Sequence, residues 1–319
     1  MKHVFFVFSP FHLAIASRIL KVSNISDFKI FLFYEGSDKS LAYCQTLFEP
    51  KKFEAYKIEK NISGLLLLGK IYLSARKLSN EKVEVYTASP KSLWFRFFFS
   101  KLKSIKSFNV IDDGVGVLNF DGYFLKPDSS SKRMILKALS VKVDYLDLLK
   151  KIDCYYKSYD AEAVYDKFCS KVIAIDPVFL PENHDYTLPE VVSGDSVKIL
   201  LTGPFSERGF LNKDKEISIY KNVTESFDIQ YLVKHPAESI GKYGGCPWSF
   251  IETKMYAEQV VEILAKTKSV EVYSFSSSVL ANLNKSKNVK VYCLDSPSLP
   301  ATSAYKKLKL PILRLQDDF

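Results

Sequence analysis

Short runs of β-branched and aromatic residues recur along the chain, each bounded by polar or turn-forming positions. Residues 3–8, 29–34, 83–87, 108–111, 171–175, 197–202, 229–234, 270–275 and 289–293 carry this pattern, which predicts buried strands. Between many of these runs, apolar positions return every three or four residues instead. That spacing predicts helices over 13–22, 63–78, 214–225, 251–266 and 278–284. Strand and helix signals in alternation imply parallel sheets covered on both faces. The alternation runs twice, dividing the chain into a first domain over 1–175 and a second over 195–319. Between them, Pro177, Pro181, Asn183, Asp185, Pro189 and Ser193-Gly194-Asp195 are turn chemistry, so 176–194 reads as a linker. The tail is expected to pack back on the first domain. The expected class is α/β, with two Rossmann-like domains.

Bulk properties narrow the picture. Of 319 residues, 47% are apolar and 25% charged, enough to bury a large core. No apolar run approaches the roughly 18 residues that a bilayer-spanning helix needs. Lys2 followed by Val4-Phe5-Phe6-Val7-Phe8 has the look of an export signal. Ser9-Pro10-Phe11-His12 cuts that run short, and Arg18 and Lys21 follow on a helical pattern. Strand, loop and helix describe this start better, so a cytosolic protein is expected. That speaks against an exported clamshell-type binding protein. The five cysteines are scattered without a C-x-x-C pair, which leaves them as small buried apolar groups. The net charge of +9 asks for an acidic partner. The basic residues are dispersed and no nucleic-acid module is recognisable, so nucleic acid is not the expected one.

Four clusters carry candidate chemistry. Asp112-Asp113-Gly114 follows the strand ending at Ile111, and the carboxyl end of a parallel strand is where α/β sheets bind ligands. A carboxylate there can take a proton from a hydroxyl, although Asp-Asp-Gly equally suits a polar turn. In Lys234-His235-Pro236, an apolar strand runs straight into a histidine that the proline keeps extended. Such a histidine can donate to a phosphate or protonate a leaving group, or serve structurally. Ser276-Ser277-Ser278 brings hydroxyls to the start of a helix, where anions bind and where serine also acts as a plain cap. Last, Gly203-Pro204-Phe205-Ser206-Glu207 follows the strand ending at Thr202; Glu207 is a general-base candidate or a solvated loop carboxylate.

In this order, acidic-acidic-Gly, His-Pro and a serine run resemble the bacterial sialyltransferases. The likeness is nearest to the lipooligosaccharide sialyltransferase family, with related motifs in the capsule polysialyltransferases and the marine-type multifunctional enzymes. The opening Ser9-Pro10-Phe11-His12 is similar to that group's Thr-Pro-Leu-Gln loop. The Thr202–Gly209 stretch is similar to the one holding the proposed acidic base, with Glu207 in its place. Glu258 matches a glutamate usually preceded by Pro-x; that proline is missing, and Glu252 is the fallback. The resemblance implies a GT-B glycosyltransferase, two Rossmann-like domains facing a cleft, that moves sialic acid from CMP-sialic acid with inversion onto a sugar hydroxyl of a surface glycan. It implies His235 on the departing phosphate and Glu207 or Asp112 as base. It implies Ser276, Ser277, Ser278, Glu258, Gly203 and Pro236 around CMP. Asp113, Gly114, Pro10 and His12 would meet a glycan or glycolipid acceptor. No metal or other cofactor is implied, since CMP-sugars carry one phosphate and no Asp-x-Asp site is convincing; Asp160-Ala161-Glu162 is the nearest look-alike.

The stretch 91–106 mixes Trp94, Phe95, Phe97, Phe98 and Phe99 with Lys91, Arg96, Lys101, Lys103 and Lys106. It suits either an anionic membrane interface or a buried helix with a basic edge, and Lys306, Lys307 and Lys309 near the end would add to the former. Peripheral attachment to the inner face of the cell membrane is therefore an expectation, and a homodimer is left open. The competing functions are transfer of another CMP-activated nonulosonic acid or Kdo and, from another class, non-catalytic nucleotide or nucleic-acid binding.

Overall fold

The computed structural model describes residues 1–35, 38–58, 64–120, 122–141, 143–180, 188, 192–275, 277–299, 301 and 303–315. Ser276 and most of the 176–194 connection therefore lie outside the described residues. The chain divides into two compact units, Met1–Val178 and Phe179–Phe319.

The first unit runs β1 (Lys2–Val7), α1 (Pro10–Val22), β2 (Phe28–Tyr34), α2 (Lys39–Leu47), β3 (Phe53–Lys57), α3 (Gly64–Leu78), β4 (Val83–Thr87) and α4 (Leu93–Lys101). It continues with β5 (Ile105–Ile111), α5 (Ser130–Ala138), α6 (Tyr145–Leu149), β6 (Cys154–Lys157) and β7 (Val172–Ala174). Its seven strands are ordered β3-β2-β1-β4-β5-β6-β7, and every pairing is parallel. The chain winds outward from β1 in one direction and from β4 in the other, so the order reverses between these two strands. Right-handed crossovers then put α1 and α2 on one face and α3, α4 and α5 on the other. Contacts of α1 with α2 and of α3 with α4 agree.

Aromatic residues build the core of this unit. Phe6 stacks on Phe33 at 4.3 Å between ring centroids and meets Phe95 edge-on at 5.5 Å. Phe95 and Phe98 come from α4, whose Arg96 is buried too and donates to Asp128 and to the Val143 carbonyl. Lys91 is likewise buried, its ammonium donating to the Tyr123 and Lys126 carbonyls at 2.6 Å each. Within the stretch 91–106, α4 is thus an interior helix, while 105–106 open β5 and Lys103 and Lys106 are exposed. The phenylalanines expected on a membrane face are instead spent on the core, and Lys91 and Arg96 on buried oxygen partners.

The second unit runs β8 (Ser196–Leu201), α7 (Lys213–Phe227), β9 (Tyr231–Val233), β10 (Ser249–Phe250), α8 (Ala257–Ala265), β11 (Ser269–Ser274), α9 (Ser278–Leu283), β12 (Val289–Asp295), α10 (Ser303–Lys307) and β13 (Ile312–Arg314). Its six parallel strands are ordered β10-β9-β8-β11-β12-β13, with the reversal between β8 and β11. The helix expected over 251–266 starts only at Ala257, because the Gln259 side chain accepts from the Tyr256 N–H at 3.1 Å and caps it there.

Candidate active site

Each unit places its candidate residues at the carboxyl ends of its strands, near its own reversal of strand order, where doubly wound sheets bind ligands. In the first unit, Ser9 caps α1 by accepting from the His12 N–H at 3.3 Å, and Pro10 occupies the first turn, where its missing N–H costs nothing. This short entry fixes His12 in the first turn, buried. The Phe8 N–H donates to His12 Nδ1 at 3.1 Å, which leaves the proton of the neutral ring on Nε2. That nitrogen lies 2.9 Å from Asp113 Oδ1, and the Asp113 side chain keeps 22% exposure. A backbone donor at one ring nitrogen and a carboxylate at the other fix the orientation of the ring.

The adjacent carboxylate behaves oppositely. Asp112 is fully buried; Tyr155 Oη donates to one oxygen and the Ser158 N–H to the other at 2.6 Å. Burial raises its carboxyl pKa to about 7, against these two donors. Asp112 thereby ties the end of β5 to β6. Neighbours in an extended chain point to opposite sides, so turning Asp112 inward turns Asp113 outward. Gly114 follows with φ +80°, a left-handed conformation that glycine adopts at no steric cost.

In the second unit, β9 ends at Val233 and delivers His235. The Ala237 N–H donates to His235 Nδ1 at 3.0 Å, and the Glu238 N–H closes a turn on the His235 carbonyl at 3.1 Å, with Pro236 at the position where its fixed φ suits the turn. Glu238 sets the turn further: its Oε2 accepts from the His235 N–H at 2.8 Å and from the Thr202 hydroxyl at 2.6 Å. Its Oε1 accepts from Tyr243 Oη and from Lys242 Nζ.

Lys242 binds the two loops together. Its buried ammonium lies 2.9 Å from Glu207, 2.7 Å from Glu216 and 3.2 Å from Glu238. Glu207 also accepts from the Ser239 N–H at 2.8 Å. Partial burial pushes the Glu207 carboxyl up, but the Ser239 N–H and the Lys242 ammonium outweigh it and hold it down at about 2. Gly203 sits where the chain leaves β8, and a Cβ there would lie 2.8 Å from the Phe205 ring, so any other residue must displace that ring. Removing one partner of a buried ion cluster costs about 3–5 kcal/mol. Lys242→Met should therefore lower stability by about that much, read in equilibrium urea unfolding followed by circular dichroism; a loss below about 1 kcal/mol contradicts the network, being the worth of a surface pair.

The remaining expected residues are placed as follows. Ser277 caps α9 by accepting from the Val279 N–H at 3.3 Å; this occupies a lone pair and leaves its own proton for a ligand. Ser278 opens the helix and is half-buried. Glu258 is buried in the first turn of α8, where Asn282 Nδ2 donates to it at 2.8 Å, and burial raises its carboxyl. Glu252 is exposed and pairs with Lys234 at 2.6 Å. The first unit thus brings together Pro10, His12, Asp113 and Gly114. The second gathers Gly203, Glu207, His235 and Pro236. Sequence reasoning missed Glu238, Thr202 and Lys242. A carboxylate three residues after His235 was the available signal for the first; nothing marked Lys242 among the other lysines. Cys44 and Cys293 are buried, which pushes their thiols up to about 12, in keeping with inert apolar roles.

Comparison with known proteins adds the following. The model of glycosyltransferase family 52 matches residues 28–297. Among solved structures, an alpha/beta-galactoside alpha-2,3-sialyltransferase from the luminous marine bacterium Photobacterium phosphoreum superposes with a TM-score of 0.56 at 10% identity, covering 98% of both chains. The UDP-GlcNAc 2-epimerase of Neisseria meningitidis gives a TM-score of 0.52 at 12% identity, over 92% of this chain and 83% of that one. Arabidopsis thaliana UGT89C1 complexed with UDP gives 0.51 at 11% identity, over 99% and 86%. These likenesses identify the fold as the two-domain, Rossmann-like GT-B type. No curated protein sequence matches the chain. Among the described residues, no helix is long and apolar enough to cross a membrane.

Proposed function

Because the chain belongs to glycosyltransferase family 52, a family of bacterial sialyltransferases, we propose that it transfers sialic acid from CMP-Neu5Ac, with inversion, to a galactose-type hydroxyl of a bacterial surface glycan. The acceptor hydroxyl attacks the anomeric carbon, its proton passes to a carboxylate, and the bond to the CMP phosphate breaks. The observation that carries the reading is His235 at the end of β9. Its Nδ1 accepts from the Ala237 N–H, which orients the ring at the carboxyl end of the strand, where an imidazole can donate to a phosphate oxygen that gains charge. The hydroxyls of Ser276, Ser277 and Ser278 bind the same phosphate, and Glu258 serves the ribose or the cytosine edge. A single phosphate held by imidazole and hydroxyls calls for no divalent cation.

We assign the base to Asp113 rather than to Asp112 or Glu207. Asp112 has a carboxyl near the useful range at about 7, but it is sealed inside with both oxygens engaged. Glu207, at about 2, holds a proton too weakly and is committed to Lys242. Asp113 is partly exposed and is oriented by His12. Isothermal titration in EDTA tests the donor side: CMP should bind, and UDP should bind at least about tenfold more weakly, a difference of about 1.4 kcal/mol. Absence of heat with CMP, or equal affinity for UDP, contradicts the donor assignment.

A further inference from the structure

The outward face of α3 is apolar where a surface helix is ordinarily polar. Leu67, Ile71, Ala75 and Leu78 are buried and mark the inner face. On the opposite side Leu65 is 78% exposed, Leu66 67%, Leu73 56% and Tyr72 43%. At 100° per residue these four share an arc of roughly 120°, with Arg76 inside it and Lys70 and Lys77 at its edge. The helix contains no Asp or Glu.

A second helix on the same face of the sheet repeats the pattern. α5 buries only Leu136, yet exposes Met134 at 70% and Ile135 at 50%. It too lacks any carboxylate, and Arg133 and Lys137 are exposed beside the apolar pair. α4 contacts α3 and holds the chain at the two ends of α5 through Arg96 with Asp128 and Lys101 with the Leu139 carbonyl. Two amphipathic helices whose outer faces combine bulky apolar side chains with cations and no anions are suited to a bilayer interface. There the side chains sink among acyl chains while the cations meet headgroups.

We infer that the α3–α5 face of the first unit docks on an anionic membrane surface. The charge pattern selects this occupant over a second copy of the chain: two such faces pressed together would set the cations of α3 and α5 against one another, and neither helix carries a carboxylate. Co-sedimentation with vesicles tests the inference, and needs no catalytic activity. At low salt the full chain should sediment with phosphatidylglycerol–phosphatidylcholine vesicles and stay in solution with phosphatidylcholine alone. Added salt should weaken the binding. Lys70→Gln and Arg76→Gln should each lower partitioning about fivefold. Leu66→Glu with Leu73→Glu should lower it by more than about tenfold, with an unchanged circular dichroism spectrum because both positions are exposed. Failure of the wild type to sediment with the anionic vesicles overturns the inference, as do leucine variants that bind like wild type. A concentration-dependent dimer in analytical ultracentrifugation that the leucine variants abolish would also overturn it, making the face a self-association surface.

Discussion

The His235→Ala variant is expected to lose about 10²- to 10⁴-fold in the rate of sialyl transfer, the span that one positioned proton donor supplies. The loss should fall on kcat rather than KM, because the interaction strengthens only as charge develops on the departing phosphate. Stability should change little. The substitution removes the bond from the Ala237 N–H to Nδ1 but leaves the His235 N–H on Glu238 and the Glu238 N–H on the His235 carbonyl, so the loss should stay near the roughly 1 kcal/mol of one hydrogen bond. Steady-state kinetics together with thermal melts check both halves of this expectation. Near-wild-type turnover in a folded variant contradicts the role given to the imidazole.

Asp113→Asn is the second large effect expected, again about 10²- to 10⁴-fold in kcat. Asparagine keeps the size of the side chain and can still accept from His12 Nε2, so the change isolates the loss of basicity. Glu207→Gln serves as the contrast. Its carboxyl, at about 2, is already a poor proton acceptor, and the amide oxygen can still accept from Lys242 and Ser239, so this variant should retain most of the wild-type rate. Rates for both variants over a range of pH decide the matter. If Glu207→Gln is the crippled variant and Asp113→Asn transfers normally, the base lies on the second unit and the present assignment fails.

Much of this was legible in the sequence because fully buried parallel strands are nearly uninterrupted apolar runs. β1 comes nearest to this, while β4, β8 and β11 each carry one charged residue, Glu84, Lys198 and Glu271, in an otherwise β-branched, aromatic or aliphatic run, and the residues that follow these strands could be picked out as candidates. The strands that escaped are short or polar. β3 reads Phe-Glu-Ala-Tyr-Lys at the sheet edge, and β10 has only two residues. The phase of Asp112 and Asp113 was not legible. Two adjacent carboxylates look alike until pairing with β6 brings Tyr155 and Ser158 onto the first of them. The setting of Glu207 was not legible for a similar reason. What lowers its basicity is the Ser239 N–H, 32 residues further on, and Lys242, 35 residues further on, and only the closed loop brings the three together. The stretch 91–106 offered two readings because interior and interfacial helices draw on the same aromatic residues. Burial of Arg96 against Asp128 settles α4 as interior, while the exposed apolar surface falls on α3 and α5.

Product formation from CMP-Neu5Ac is the most direct measurement. The chain should be incubated with this donor and a panel of galactosides, the products analysed by mass spectrometry, and the anomeric configuration read by nuclear magnetic resonance. A galactoside heavier by one sialyl residue, with the configuration inverted relative to the donor and CMP released only when acceptor is present, is the predicted result. CMP-Neu5Ac left intact with every acceptor, or CMP released at the same rate without any, would contradict the account.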